Sequence, residues 1–259
     1  VSELQNLALG FFATSIGHLS FVTIRLALRL MTIPIRLFGV PIGQASLPFL
    51  SAKSAEEDLD HFKDLVVQSL HQISFLAYPA SVLLLILRVP IVRLIFGTDN
   101  FPWKTTLQTG RIVALVSISI AAQAMVQLLI RAFHALKDTK TPFWITAISV
   151  AFYLAAGWLF VFRSPWGVLG LATTISLTAF LELGLFVLLL NRKIDGFTSK
   201  AFLIPQFKMV TASFLMAVFL YLPFKVLDEI VFDTTRTVEL IGLTTVSYTH
   251  LTLPTNREV

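Results

Sequence analysis

The chain has 259 residues, of which 56% are hydrophobic and 14% are charged, and its mean hydropathy is +0.80. Soluble domains contain about 45–50% apolar and about 25% charged residues, so the composition excludes an ordinary soluble protein and indicates a membrane protein. The formal charge of +5 fits basic loops that orient membrane helices better than a nucleic-acid partner, and the lack of cysteine excludes disulfides, thiolate metal sites and cysteine nucleophiles.

Membrane-spanning helices are predicted along most of the chain. A bilayer core about 30 Å thick needs about 20 apolar residues in a helix, and its backbone polar groups must be paired internally. The stretch from Leu4 to Ile24 has no Asp, Glu, Lys or Arg but carries Gly10, Gly17 and His18, so we expect it to contain the end of one helix and the start of the next. Later spans are predicted at Leu65–Leu87, Ile112–Ile130, Phe143–Phe162, Trp166–Leu190 and Met209–Phe224.

Proline recurs in the second helix, which continues through residues 25–50. Pro34, Pro41 and Pro48 predict a discontinuous helix, because proline removes a backbone donor, and Gly39 and Gly43 add to this expectation. Broken helices in transporters tend to line substrate paths. An ordinary kink, satisfied by neighbouring groups, remains the alternative.

Both ends of the chain indicate a fragment. It starts at Val1 inside an apolar run, with no visible signal peptide, so we interpret it as a piece whose natural start is missing. Residues 238–246 begin a further helix that stops at about half the length a bilayer requires. We therefore expect residues 1–246 to form one transmembrane helical bundle and residues 247–259 to be a non-native tail, with a genuine polar tail as the alternative.

Three polar loops alternate with the others and hold slightly more Lys and Arg, so we expect them on the cytoplasmic side. They are residues 51–64, 191–208 and the segment "RAFHALKDTKTP" (131–142), which we call the hinge. Ser54 with Glu57 fits a capping box for the helix after the first loop. Thr141 and Pro142 suit the cap and the first position of the helix after the hinge.

Three arginines form the most informative pattern. Arg25, Arg29 and Arg36 are 4 and 7 residues apart in an apolar stretch, which places them within roughly 40° of one another on a straight helix. Each arginine at mid-membrane costs about 2.5–3.5 kcal/mol, so such residues usually face a cavity or pair with an anion. Arg29 is the most central candidate. A kink at Pro34 would rotate Arg36 off the helix face that Arg25 and Arg29 share. Snorkelling to a membrane interface is the alternative for all three.

Other polar residues within the spans carry less information. Glu182 could bind a proton or cation or pair with an arginine, although its helix also ends soon afterwards, at Arg192 and Lys193. Gln123 and Gln127 share a helix face and are expected to bond a neighbouring helix. The scattered histidines lack a second ligand at metal spacing, and no catalytic motif is present, which weighs against an enzyme.

Three segments together resemble the MurJ (MviN) family, the lipid II flippases of the multidrug/oligosaccharidyl-lipid/polysaccharide (MOP) exporter superfamily. They are "RLMTIPIRLFGVPIGQASLPFLS" (29–51), "YPASVLLLILRVPIVRLIFG" (78–97) and, above all, the hinge, which resembles the family's "KDTKTP" signature. The resemblance implies an all-α, polytopic transmembrane helix bundle: the second half of a fourteen-helix, MATE-like flippase, from a partial seventh to a partial fourteenth helix.

The resemblance also implies a mechanism. Lipid II would enter a cationic cavity from the inner leaflet, and rocking of the two halves, driven by membrane potential or an ion gradient, would expose it outside. Arg29 matches an essential cavity arginine of the family, whereas Arg25 and Arg36 do not. Family members often carry paired asparagines after the hinge, where this chain has Tyr153 and Gly157, which puts a sodium site in doubt.

The implied partners are lipid II and membrane lipids, with the cell-wall synthesis machinery as a further candidate, and no cofactor or metal is expected. The location expected is the bacterial cytoplasmic membrane, crossed several times. Three alternatives stay open: another MOP exporter, such as a polysaccharide-lipid flippase or a drug/cation antiporter; a membrane enzyme acting on polyprenyl phosphates; and a structural partner of the division machinery.

Overall fold

The computed structural model describes residues 2–97, 102–194, 196–198 and 200–230, and within these ranges it is helical with no strand. This confirms the all-α membrane bundle. The α-helices, and two π-helical segments called π1 and π2, run in the order α1 Ser2–Ile16, α2 His18–Pro34, π1 Ile35–Gly39, α3 Val40–Ala55, α4 Leu59–Ile86, α5 Arg88–Phe96, α6 Trp103–Ser117, α7 Ile120–Ala135, α8 Lys140–Trp158, π2 Leu159–Arg163, α9 Gly167–Lys193 and α10 Lys200–Ile230.

The expected boundary between the first two helices is confirmed at Gly17. Its φ of 148° is a conformation that glycine adopts without the strain that a side chain would bring. The predicted helix at 238–246 and the suspected tail at 247–259 lie outside the described residues.

The prediction of a broken second helix is wrong in one respect, because the backbone stays helical from His18 to Ala55. Pro34 ends the regular α-helical turns, and the five-residue segment π1 follows it. A proline leaves a carbonyl one turn earlier without its usual donor, and a wider turn accommodates that change without a break.

Gly39 and Gly43 allow π1 and α3 to pack closely on α7. A Cβ atom at Gly39 would lie 2.8 Å from the Cα of Ala124, and one at Gly43 would lie 2.7 Å from Nη1 of Arg131. Such contacts are closer than real Cβ atoms allow. The two glycines therefore form a small-residue contact between membrane helices rather than a point of rupture.

The predicted span Ile112–Ile130 is instead the bent pair α6 and α7, whose axes differ by 46°. Ser119 lies at the bend, where its hydroxyl donates to the carbonyl oxygen of Val116 at 2.8 Å and its backbone N–H donates to the same oxygen at 3.1 Å. A side chain that bonds its own backbone in this way bends a helix.

Four other helices of the described residues are long and apolar enough to cross a membrane, and the bent pair makes up to five. They agree with the remaining predicted spans. Their bounds are Leu59–Ile86, Lys140–Arg163, Gly167–Lys193 and Lys200–Pro223. The chain is thus a multi-pass membrane protein.

Two apolar clusters form the core, one toward each end of the bundle. The first joins buried side chains next to all three loops that we expect to be cytoplasmic, among them Leu50, Phe133 and Phe197. The second lies near the opposite turns and includes Phe12, Ile112 and Leu171. The three basic loops therefore share one end of the molecule, as the alternation of loops requires.

Both predicted helix caps are wrong in detail. Asp58, not Ser54, caps α4, since its carboxylate accepts from the backbone N–H of His61 at 3.2 Å. Asp138, not Thr141, caps α8, because its Oδ1 accepts from the backbone N–H groups of Lys140 at 3.1 Å and Thr141 at 3.0 Å. An aspartate outcompetes serine or threonine here because its position in the turn points it at the free N–H groups.

Candidate functional site

The three predicted arginines lie on the exposed side of the second membrane helix. Arg25 and Arg29 are exposed on α2, and Arg36 is exposed on π1. Ile33, which lies between them, is 49% exposed. Arg36 thus stays exposed beyond Pro34, and we call these four positions the arginine strip.

Arg29 is the middle arginine of the strip. It is eleven residues from the start of α2, which corresponds to about 17 Å along the helix axis. Arg25 contacts the ring of Phe21, with its Cζ 5.0 Å from the ring centroid. Among the ion pairs of the described residues, none includes an arginine of the strip. The strip is therefore a row of exposed arginines that have no ion-pair partner among the described residues.

Glu182 occupies a different place, in a half-open cavity of about 390 Å³ between the helices. The cavity lies among α1, α2, α7, α8 and α9, and the contribution of α2 is Leu28, the neighbour of Arg29. Leu28 lines the cavity, whereas none of the three arginines of the strip belongs to its lining. The polar side chains of the lining are Gln5, Asn6, Gln123, Gln127, Thr146, Tyr153, Thr178 and Glu182.

The cavity lining shows that Gln123 and Gln127 face a polar space as well as a neighbouring helix. The amide of Gln123 donates to Oγ of Ser119 at 3.1 Å and approaches Sδ of Met31 at 3.5 Å. Glu182 is half-buried and has no ion pair among the described residues. An arginine was one of the partners that the sequence analysis considered for Glu182, and the described residues show no such pair.

Arg131 is a charged residue that the sequence analysis did not single out. Its Nη1 donates to the carbonyl oxygen of Gln127 at 2.7 Å and lies against Gly43. The side chain therefore points back along α7 toward the membrane interior instead of toward the nearby helix end. The four-residue spacing Ser119, Gln123, Gln127, Arg131 was the available signal, because such residues share one helix face.

The positions that depart from the family pattern are filled by aromatic side chains. Tyr153 is buried and lines the cavity. A Cβ atom at Gly157 would lie 2.8 Å from Cε2 of Phe12, so the absence of a side chain there makes room for that ring. The ring centroids of Phe12 and Tyr153 are 6.5 Å apart. This region offers apolar contacts and a phenol where paired amides would offer oxygen ligands.

The hinge is fastened to the end of α9 by Asp138. Its carboxylate accepts from the hydroxyl of Thr141 at 2.7 Å and forms an ion pair with Lys193. The hydrogen bond from Lys193, followed by those from Thr141, holds the pKa of Asp138 well below its usual range. Asp138 explains why the hinge carries an acidic residue among its cations.

The chain matches, over residues 1–236, a family model described as lipid II flippase MurJ. It is 29% identical over 211 residues to a probable lipid II flippase MurJ of Bdellovibrio bacteriovorus, covering 82% of this chain and 39% of that protein. It is 30% identical over 202 residues to the corresponding protein of Thermotoga maritima, covering 78% of this chain and 41% of that protein. The chain therefore spans about two fifths of the length of these relatives.

Two solved structures share the fold. A lipid II flippase MurJ in an inward closed conformation superposes with a TM-score of 0.71 at 21% identity, covering 92% of this chain and 48% of that one. A MOP superfamily transporter from Pyrococcus furiosus superposes with a TM-score of 0.63 at 14% identity, covering 88% of this chain and 51% of that one. The predicted half of a MOP-type bundle is confirmed.

Proposed function

The chain belongs to the lipid II flippase MurJ family, and from this membership we propose that it forms the second half of a flippase. The substrate is lipid II, an undecaprenyl-diphosphate-linked peptidoglycan precursor, moved from the inner to the outer leaflet of the cytoplasmic membrane. Residues 1–246 then correspond to the partial seventh to partial fourteenth helices. The family transports rather than catalyses, so no reaction, cofactor or metal is assigned.

The observation that supports the proposal is the exposed arginine strip on an otherwise apolar helix. Burying an arginine among lipid tails is costly, so a row of them is retained where it meets water or an anion. A guanidinium presents a planar fork of N–H donors that matches phosphate oxygens. The diphosphate of lipid II supplies this anionic group, and the strip supplies a wall of its pathway.

The three arginines are proposed to differ in their roles. Arg29, at a position matching an essential family arginine, binds the diphosphate directly. Arg25 lies about one turn nearer to the start of α2, and Arg36 about two turns farther along. We assign to both the part of strengthening the positive field that guides the headgroup to Arg29.

Glu182 is proposed to serve ion coupling rather than substrate binding. It lies in the cavity between the helices, whose lining includes none of the arginines of the strip. An ionisable group at membrane depth that has no ion-pair partner is typical of proton and ion relays.

Cell-wall synthesis proteins are a further prediction, as partners of the intact flippase.

The test is growth of a flippase-depleted strain that carries variants of the intact gene. Arg29→Ala should abolish growth at normal protein levels, because the diphosphate loses its direct ligand, and Arg29→Lys should restore it only partly. Arg163→Ala is the matched control, since Arg163 is exposed at the end of π2 beside Trp158. Full growth with Arg29→Ala would refute the role of Arg29.

A further inference from the structure

The cavity around Glu182 contains a single carboxyl group. Of its fourteen lining residues, which all belong to the described part of the chain, Tyr153 is the other titratable one, and none is Lys, Arg or His. Charged residues elsewhere on the surrounding helices, such as Glu3, Arg29 and Arg131, are not part of the lining. No cation in the lining therefore compensates a negative charge on Glu182.

The cavity is suited to hydrate this carboxyl group. Its volume of about 390 Å³ would hold roughly a dozen water molecules. Amide side chains from α1 and α7, including Gln5 and Gln127, line it together with Glu182. Water that is hydrogen-bonded to these amides can pass a proton to and from a carboxyl group without any movement of the backbone.

The lining has one carboxylate rather than a cluster of acidic ligands. The hydroxyl of Thr146 donates to the carbonyl oxygen of Pro142 at 2.8 Å, and that of Thr178 donates to the carbonyl oxygen of Thr174 at 2.8 Å, so both hydroxyl hydrogens are bonded within their own helices. The described residues contain no group of three His, Cys, Asp or Glu side chains that could hold a metal ion. A partly desolvated carboxylate without such a shell is neutralised most simply by a proton.

From this arrangement we propose that Glu182 is a proton-binding site and that its protonation is the ion-coupling step of this half of the molecule. One proton from water adds to the carboxylate, and the resulting acid releases it again in a later state of the cycle. The coupling role rests on the proposed flippase function, whereas the binding of the proton does not.

A hydrophobic carbodiimide tests the proton site directly, because it modifies a carboxyl group in its protonated form. The intact protein, purified in detergent, is treated across a pH series and the modified residue is identified by peptide mass spectrometry. Glu182 should be modified at acidic pH, with modification lost as the pH rises and unchanged by added sodium chloride relative to choline chloride. Glu182→Gln should remove this modification.

The matched control is Glu56→Gln, because Glu56 has a side chain that is 59% exposed and pairs with Lys53 outside the membrane helices. This variant should keep the modification of Glu182 unchanged. The proposal is overturned if Glu182 is not modified at any pH. It is also overturned if sodium suppresses the modification, and that result would favour a sodium site.

A transport assay separates this proposal from the flippase function. The intact protein is reconstituted in vesicles and lipid II flipping is measured with an imposed pH difference. A response to the pH difference that disappears in Glu182→Gln supports the coupling role. Flipping that never responds to the pH difference overturns coupling but leaves the flippase function intact. Carbodiimide modification without any lipid II flipping leaves the proton site and contradicts the proposed function.

Discussion

Asp138 shows how a single side chain organises one end of the bundle. Its carboxylate caps α8 and pairs with Lys193 at the end of α9. Asp138→Ala should lower the free energy of unfolding by about 1–2 kcal/mol, since it removes a helix cap together with an ion pair. Thermal unfolding of the intact protein in detergent measures this, and an unchanged midpoint would count against the contact.

The same residue sets the direction of a pH effect. The pKa of Asp138 is lowered in the folded protein because Lys193 and Thr141 donate to it, so its stabilisation is complete above the unfolded pKa of about 4 and is lost as the pH falls below it. Asp60→Ala is the control, because the Asp60 side chain is 92% exposed and its pair with Lys63 should contribute little.

The sequence pattern predicted where charged residues lie along the helices, but it did not predict which groups their side chains contact. The spacing of Arg25, Arg29 and Arg36 predicted one helix face toward a cavity, because helix periodicity depends only on position in the chain. All three arginines are exposed, and their role at a cavity stays a prediction. The cap at Asp138 was missed since Asp and Thr are both good capping residues and only the turn geometry selects between them. The inward direction of Arg131 depends on Gly43, which lies on another helix.

At the scale of elements, the contact between π1 and α7 leaves no room for a side chain at Gly39. Gly39→Ala should lower the free energy of unfolding by about 1–3 kcal/mol, because the new methyl group meets backbone atoms of Ala124 that cannot turn aside. The control is Gly184→Ala in α9, where nothing lies within 4 Å and alanine is the better helix former. Thermal unfolding of the two variants measures this difference. Equal losses of stability in both variants would contradict a close contact between Gly39 and Ala124.

Element existence was predictable, but element shape was not. The apolar runs indicated the spans because a bilayer imposes a minimum length on them. The bend between α6 and α7 was missed since serine is common inside helices, and only the bond from Ser119 to Val116 marks it. The continuity of the proline-rich helix was missed because a π segment has no simple sequence pattern.

At the scale of the whole molecule, the arginine strip faces outward from the half-bundle. The chain spans 39% of one relative and 41% of another, so a flippase of this family has further protein to face this surface. We expect the 259-residue chain alone to flip no lipid II in reconstituted vesicles, because one wall of the pathway is absent. Flipping by the purified chain would show that the strip needs no opposing half.

The sequence resemblance placed the chain in its family because the hinge and two further segments are specific together. It did not predict the surroundings of Glu182, since the sequence around a carboxyl group near a helix end does not show whether the side chain faces water, lipid or a cavity. Only the packing of α1, α7, α8 and α9 around it shows the cavity.

The most direct measurement of the central claim is the binding of lipid II to the purified intact protein by native mass spectrometry. Loss of a charge-assisted hydrogen bond costs about 1.5–3 kcal/mol, so Arg29→Ala should weaken binding by about tenfold or more, while Arg163→Ala should bind like the unmodified protein. Equal affinity of the Arg29→Ala variant and the unmodified protein would contradict the assignment of Arg29 to the diphosphate.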